Sequence, residues 1–389
     1  MPHVPPRTGP LAQRLKELEP QRLVAPVPSG VVVILVDVDR QSLAQTLYTL
    51  LKDQPGIAIA GYHLTGETAP PEPLCMASRP PIPHISLEDA LRHPEAVLAV
   101  GIWIPDKTIA AIHGRTRRYL IVPAPNRYAP FVYERVPDFY ETRHEKLEAV
   151  YGSLRGEESK TSFARVIKAR ITGESAYIAP TGDMYAHAPT DAAPGDIVID
   201  GGVFRFEDEL RQFSLSVGSE GKIYSFEPDR KNFLTIQEAM RNHLPANITL
   251  CNLGLFSEKS RLGIVEAQSA SALAGTSIAG VPVTGTALCD VTDLDSFVAE
   301  NAVPRVDLLK LDIEGAEIEA LVGAEKTIRT HKPKLKISAY HTVDHVWEIP
   351  VLLRSFVPEY VFEFHTPAPY LVEYILFAYA PGDENHANT

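Results

Sequence analysis

The stretch PGDIVIDGGVFRFEDELRQFSLSVGSEGKIYSFEP, residues 194–228, constrains the fold of this chain more than any other. Ile197, Val198 and Ile199 form a short continuous apolar run, as in a strand buried on both faces of a parallel sheet. The run stops at Asp200, and Gly201 and Gly202 then permit a tight turn whose backbone can lie close to a ligand. A helical segment follows, and a second strand over 222–226 ends on Glu227. That order puts a carboxylate beside the first turn, placed to accept hydrogen bonds from the two hydroxyls of a ribose. Doubly wound α/β proteins hold nucleotide-like ligands in this crevice.

A dinucleotide site would carry G-x-G-x-x-G, so that a pyrophosphate can reach the helix N-terminus. Here Asp200 is followed by Gly201, Gly202, Val203, Phe204, Arg205 and Phe206, and no third glycine stands where a phosphate needs it. An acidic residue at the end of the first strand suits a cofactor bearing an ammonium and a sulfonium, which points to S-adenosylmethionine.

A second block, Arg305 to Ile328 (RVDLLKLDIEGAEIEALVGAEKTI), reads as a strand ending in an acidic turn and a helix, with Asp312 and Glu314 flanking Ile313. Taken together, VIDGGVFRFED, KIYSFEPDRKNF, NLGLFSEKS, LLKLDIEGAEIEALVGAEKTI and KISAYHTVDHVWEIP resemble the FkbM family of S-adenosylmethionine-dependent methyltransferases, in family order and spacing. The resemblance covers about residues 176–389. It implies a Rossmann-like class I methyltransferase domain, a mostly parallel seven-stranded sheet closed by a C-terminal hairpin. It also implies O-methylation of a hydroxyl on a sugar, glycan or glycosylated natural product. Asp200, Gly201, Gly202, Glu227 and Asp312 then fall to the cofactor, and Asn252, Leu253 and Gly254 become the adenine candidates. Phe206 departs from the family, which usually has a glycine near that position, and a closed cofactor pocket would make the chain a non-catalytic binding or interaction protein.

For the chemistry, a hydroxyl acceptor calls for a base. His341, at the end of the strand KPKLKISAYH, suits that task if it titrates near neutrality. Asp312 and Glu314 are rival bases, and with His341 they form a candidate cation site. Structural readings stand beside these: Asp312 as a helix cap, Glu314 as a charge at a helix N-terminus, His341 as a satisfied strand-end residue.

Upstream, residues 1–29 read as a mobile arm, and 30–128 as a smaller Rossmann-like α/β domain opened by VVVILVDVDR. Its Asp37 and Asp39 raise the D-x-D of a metal-dependent glycosyltransferase, weighed against an ordinary N-cap aspartate. The proline-rich passage 70–83 reads as a surface loop, and 129–175 as a helical connector able to cover the cofactor pocket, broken at Gly152 and Gly156. Tyr177, Tyr185 and His187, in the polar segment that follows, are candidates to face substrate.

Charge narrows the partners. With 37 Lys+Arg against 49 Asp+Glu the chain carries a net charge of -12, which disfavours nonspecific nucleic-acid binding. Cys75, Cys251 and Cys289 have neither disulfide-scaffold nor zinc spacing. No run approaches a membrane span or a signal peptide. The expectation is a cytoplasmic enzyme with a small-molecule or glycan acceptor, and a homo-oligomer remains open.

Overall fold

A computed structural model describes residues 9–19, 32–37, 58–65, 74–76, 79–100, 108, 111–112, 115, 119–121, 136–172, 177–182, 186–203, 210–241, 246–265, 272–273, 277–278, 281–282, 287–367 and 373–382. Phe206, Asp39, Tyr185 and the segment around Leu43, Leu47, Leu50 and Leu51 lie outside them.

The helix α1 (Pro10–Glu17) falls within the segment expected to be mobile, and this expectation fails there. Leu11, Ala12, Leu15 and Leu18 are buried in the main core. Glu148 fixes the helix start by accepting from Leu11 N at 3.0 Å and Ala12 N at 2.9 Å, a carboxylate satisfying orphan donors at a helix N-terminus.

The first α/β unit has strands β1 (Val32–Asp37), β2 (Ala58–Leu64), β3 (Leu74–Met76), β4 (Arg79–Ile82), β5 (Val97–Val100) and β6 (Tyr119–Ile121). Parallel pairing gives the sheet order β2-β1-β5-β6, as the alternating pattern requires. Helix α2 (Leu87–Arg92) starts at Ser86, whose Oγ accepts from Asp89 N at 3.0 Å. The passage read as a plain loop holds the antiparallel pair β3–β4. Pro80 and Pro81 sit in β4 of this two-stranded ribbon, where few ladder donors are needed.

Helices α3 (Phe139–Ser153) and α4 (Glu157–Thr172) form the connector. The break falls at Leu154 to Gly156, with Gly156 at φ 76°, while Gly152 stays inside α3. These helices are core rather than lid. Phe163 meets Phe364 edge-on at 5.4 Å, Ser159 Oγ accepts from Phe364 N at 2.7 Å, and fully buried Arg170 donates to the Tyr374 hydroxyl.

The main sheet begins with β7 (Ile197–Gly201), helix α5 (Arg211–Val217), β8 (Lys222–Phe226), helix α6 (Arg230–Arg241) and β9 (Ile248–Cys251). The expected third strand, 247–255, is cut at Asn252 and Leu253. Its end becomes β10 (Gly254–Leu255), which opens an excursion through β11 (Ser260–Val265), β12 (Ala272–Leu273), β13 (Ser277–Ile278), β14 (Val281–Pro282) and β15 (Ala287–Thr292). Four of these strands make a small separate sheet, β10-β15-β11-β12.

The chain then runs through α7 (Leu294–Glu300), β16 (Leu308–Leu311), α8 (Glu317–Val322), α9 (Glu325–His331), β17 (Lys334–Ser338), α10 (His345–Phe356), β18 (Val361–His365) and β19 (Ile375–Tyr379). The seven-stranded order is β18-β19-β17-β16-β7-β8-β9, with β19 alone antiparallel to its neighbours. Side chains alternate between faces. Ile197, Ile199, Leu309, Leu311, Leu335 and Ile337 bury one face in the large core, and Val198, Ile223 and Leu308 bury the other against α5 and α6. Order reverses between β7 and β16, so the ends of β7, β8, β16 and β17 border one crevice, the switch point of an open α/β sheet.

Candidate active site

Asp200 is fully buried, and its partner is Lys310 on the adjacent strand β16. Lys310 Nζ lies 3.3 Å from Asp200 Oδ1 and donates to Gly202 O at 2.6 Å; Ser225 Oγ donates to Asp200 Oδ2 at 3.1 Å. Burial raises the Asp200 pKa against the pull of Lys310. The side chain expected at the cofactor is therefore an internal tether of the glycine turn. The glycines also answer to the protein itself. At Gly202, with φ 83°, an added Cβ would stand 1.8 Å from Asp312 O, so the β7 and β16 turns touch backbone to backbone.

Glu227 closes β8 and is only 5% exposed. Its Oε1 accepts from Asp229 N at 2.7 Å, and among the described residues its carboxylate takes no other hydrogen bond. Burial pushes its pKa up to about 8. Such a carboxyl, short of donors and set at a strand end, fits a ligand bearing paired hydroxyls. Asn252 donates to Glu227 O at 2.9 Å and Pro228 O at 3.1 Å, so it staples the Glu227 turn, while Leu253 packs on the main core.

Across the crevice the acidic turn folds around His341, three residues beyond β17. His341 Nδ1 lies 2.8 Å from Glu317 Oε1, and Nε2 lies 3.4 Å from Asp312 Oδ1 and 3.5 Å from Glu314 Oε2. Three carboxylates outweigh the desolvation penalty and raise the His341 pKa to about 10. At neutral pH it is an imidazolium, so the expectation of a near-neutral base is replaced by that of a buried cation. His345 Nδ1 is 3.3 Å from Glu317 Oε2, yet burial takes its pKa down to about 4 and keeps it neutral.

Glu317 organises this cluster. Completely buried at the start of α8, it accepts from Ile313 N at 2.9 Å and Gly315 N at 3.1 Å as well as pairing with His341. Desolvation is the largest single influence on its pKa and raises it, but the His341 charge and hydrogen bond, His345 and the Ile313 amide together outweigh it and leave the pKa lowered. Glu314 sits at φ 55°, a left-handed conformation costly for a non-glycine residue, and burial takes its pKa up to about 7. Tyr340 donates to Asp312 Oδ1 at 3.2 Å. Asp312, Glu317 and His341 bring ligand-type atoms within 4.8 Å of one another, so Glu317 takes the place expected of Glu314 in that set. Both Glu317 oxygens are already committed to backbone donors, which suits an ion pair better than a cation.

Beside the cluster, Val136, Arg143, Gly315, Glu319, Thr342 and His345 line part of an open cleft of about 430 Å³. His187 does not reach this site; it stacks on Phe377 at 4.5 Å, and Tyr177 packs on the main core. In the first unit Asp37 is fully buried at the end of β1.

A parallel sheet closed by a reversed hairpin, with an acidic strand end on each side of the switch point, is the Rossmann-like architecture shared by class I methyltransferases. Residues 186–364 match the methyltransferase FkbM domain. That match assigns a methyltransferase domain of the FkbM type to residues 186–364. A solved FkbM methyltransferase from Methylobacillus flagellatus KT shares the fold at 17% identity, over 89% of this chain and 90% of that one, with a TM-score of 0.59. Fainter likenesses include Aeropyrum pernix fibrillarin in complex with S-adenosyl-L-methionine, at 10% identity over 50% of this chain and 70% of that one, TM-score 0.32. Another is precorrin-6y C5,15-methyltransferase from Geobacter metallireducens GS-15, at 12% identity over 52% and 93%, TM-score 0.32. No curated protein matches the chain. Among the described residues no helix is long and apolar enough to cross a membrane.

Proposed function

We propose that this methyltransferase uses S-adenosylmethionine to methylate a hydroxyl of a sugar, glycan or glycosylated natural product. The observation that carries the reading is Glu314, a half-buried carboxyl with a pKa of about 7 at the switch point, beside the His341 cation. A base poised near the working pH is what proton removal from a weakly acidic hydroxyl needs. Glu227 holds the ribose hydroxyls, the Gly201–Gly202 turn borders the methionine end, and Asn252 with Leu253 and Gly254 borders the adenine. Asp200 acts through Lys310, holding that turn in shape. The cofactor, when bound, supplies an electrophilic methyl group on a sulfonium.

Glu314 takes the acceptor proton, while His341 stays charged and orients Glu314 and Asp312. The cleft between Arg143 and Glu348 receives the polar acceptor. The testing experiment incubates the protein with labelled S-adenosylmethionine and matched panels of glycosides, amines and thiols, and follows S-adenosylhomocysteine release and methylated product. Transfer to glycoside hydroxyls supports the reading. Cofactor binding with transfer confined to nitrogen or sulfur would overturn the O-methylation assignment.

A further inference from the structure

A second group of titratable side chains lies at the sheet edge, away from the acidic turn. We propose that His187, Glu363 and His365 form a binding site for a first-row divalent cation of the zinc type. Their ligand-type atoms fall within 4.8 Å of one another. His187 Nε2 and Glu363 Oε2 are 3.5 Å apart, close to the roughly 3.3–3.4 Å edge of a tetrahedron with bonds of about 2.0–2.1 Å.

Among the described residues, two ring nitrogens in this group, His187 Nε2 with its 3.5 Å approach to Glu363 and His365 Nδ1, are buried and take no hydrogen bond, and His365 is only 8% exposed. A buried imidazole nitrogen left so is unfavourable unless something else takes it up. Glu363 is oriented from behind. Tyr379 donates to Glu363 Oε1 at 2.6 Å and accepts from Arg155 Nη1 at 3.2 Å, so the carboxylate turns its other oxygen toward His187. Outer hydrogen bonds of this kind fix a ligating carboxylate in place.

The sequence builds the site simply. Glu363 and His365 alternate on β18 and share a face, while Phe362 and Phe364 between and beside them fill the core on the other. His187 comes from the segment that leads into the main sheet, and its ring meets that of His365 at 4.8 Å. Two imidazoles and one carboxylate favour zinc, cobalt or nickel over magnesium or calcium, with water completing the set. His365 is in register with Ile375, and Ile375 with Ser338, so the group stands two strands from β17. Bound there, a cation clasps the entry segment to the edge strand.

The test uses the full chain after chelation and dialysis. It is titrated with Co²⁺, followed by its visible absorption, and with Zn²⁺ in competition with a chromophoric chelator, for wild type, His187→Gln, Glu363→Gln and His341→Gln. The expected result is a single tetrahedral Co²⁺ spectrum displaced by Zn²⁺. It persists in His341→Gln and weakens about tenfold or more in His187→Gln and Glu363→Gln. Zn²⁺ also raises the Tm of wild type and not of His187→Gln. Absence of the spectrum and of the Tm rise in wild type overturns the site, as does binding that survives His187→Gln and Glu363→Gln or is lost only in His341→Gln.

Discussion

Glu317 Oε1 stands 2.8 Å from His341 Nδ1, and the two residues are among the most deeply buried charges in the molecule. The pair joins the start of α8 to the loop after β17, and so sets the distance between the two turns that face the cofactor crevice. Removing one partner leaves the other charge stranded. Glu317→Ala should cost about 3–5 kcal/mol of unfolding free energy, measured by urea denaturation. Glu317→Gln, which keeps the shape, should cost less.

The same pair fixes the sign of an alkaline effect. His341 has its pKa raised to about 10 in the folded protein, well above the value of an unfolded histidine. Its contribution to stability is complete below the unfolded value of about 6.5 and is lost as pH rises through the folded one. Unfolding free energy should therefore decline between about pH 6.5 and 10. In Glu317→Gln that decline should shrink, because the carboxylate that holds the proton is gone. An identical slope in the two proteins would remove His341 as its source.

Glu314 separates catalysis from stability. A carboxyl whose folded pKa is raised to about 7 favours folding in its protonated form, and that contribution is lost as pH rises through 7. Glu314→Gln mimics the neutral form, so above pH 7 it should match or exceed wild type in stability. Turnover should fall by about 10²–10⁴-fold, with KM little changed. The acid limb of the wild-type kcat profile near pH 7 should vanish from the residual activity. Equal turnover in wild type and Glu314→Gln would assign the proton to another group.

Much of this frame was legible in the chain because it rests on apolar periodicity. The apolar runs Ile197–Ile199, Lys222–Phe226 and Val306–Leu311 read as strands and lie on β7, β8 and β16, with β7 running on to Gly201 and β16 starting at Leu308, and the closing hairpin followed from the 360–379 spacing. Polar residues buried by tertiary contact were harder to read. Glu317 shares a stripe with Ala320 and Leu321, and that i, i+3, i+4 placement was the available sign that it points inward. Lys310, inside the run LLKL, carried a similar sign. The docking of α1 depends on Glu148, 137 residues from Leu11, and nothing local in the first segment announces it. The protonation of His341 depends on carboxylates from three positions brought together only by folding.

Binding of S-adenosylmethionine should depend on pH through Glu227. The free carboxyl has a pKa of about 8, and hydroxyl donors from a ribose stabilise its ionised form. Binding then releases a proton, so the Kd should fall as pH rises from 6 toward 8 and level off above. Calorimetry in buffers of different ionisation heat reads that proton directly. Glu227→Gln should lose both the release and the pH dependence, and Glu227→Ala should weaken binding by about 1.5–3 kcal/mol. A pH-independent Kd in wild type would place the ribose away from Glu227.

Gly202 tests whether the two turns must touch. Its φ of 83° already disfavours any side chain, and a Cβ would meet Asp312 O at 1.8 Å, a backbone atom that no rotamer change can move aside. Gly202→Ala should therefore destabilise the domain by at least about 2 kcal/mol. It should also push Asp312 away from Tyr340 and His341, so cofactor affinity and turnover fall together even where the variant remains folded. Gly195, also at positive φ (86°) but with open space around its would-be Cβ, is the matched control. Gly195→Ala carries the conformational cost without the clash, so the difference between the two variants isolates the contact between the β7 and β16 turns.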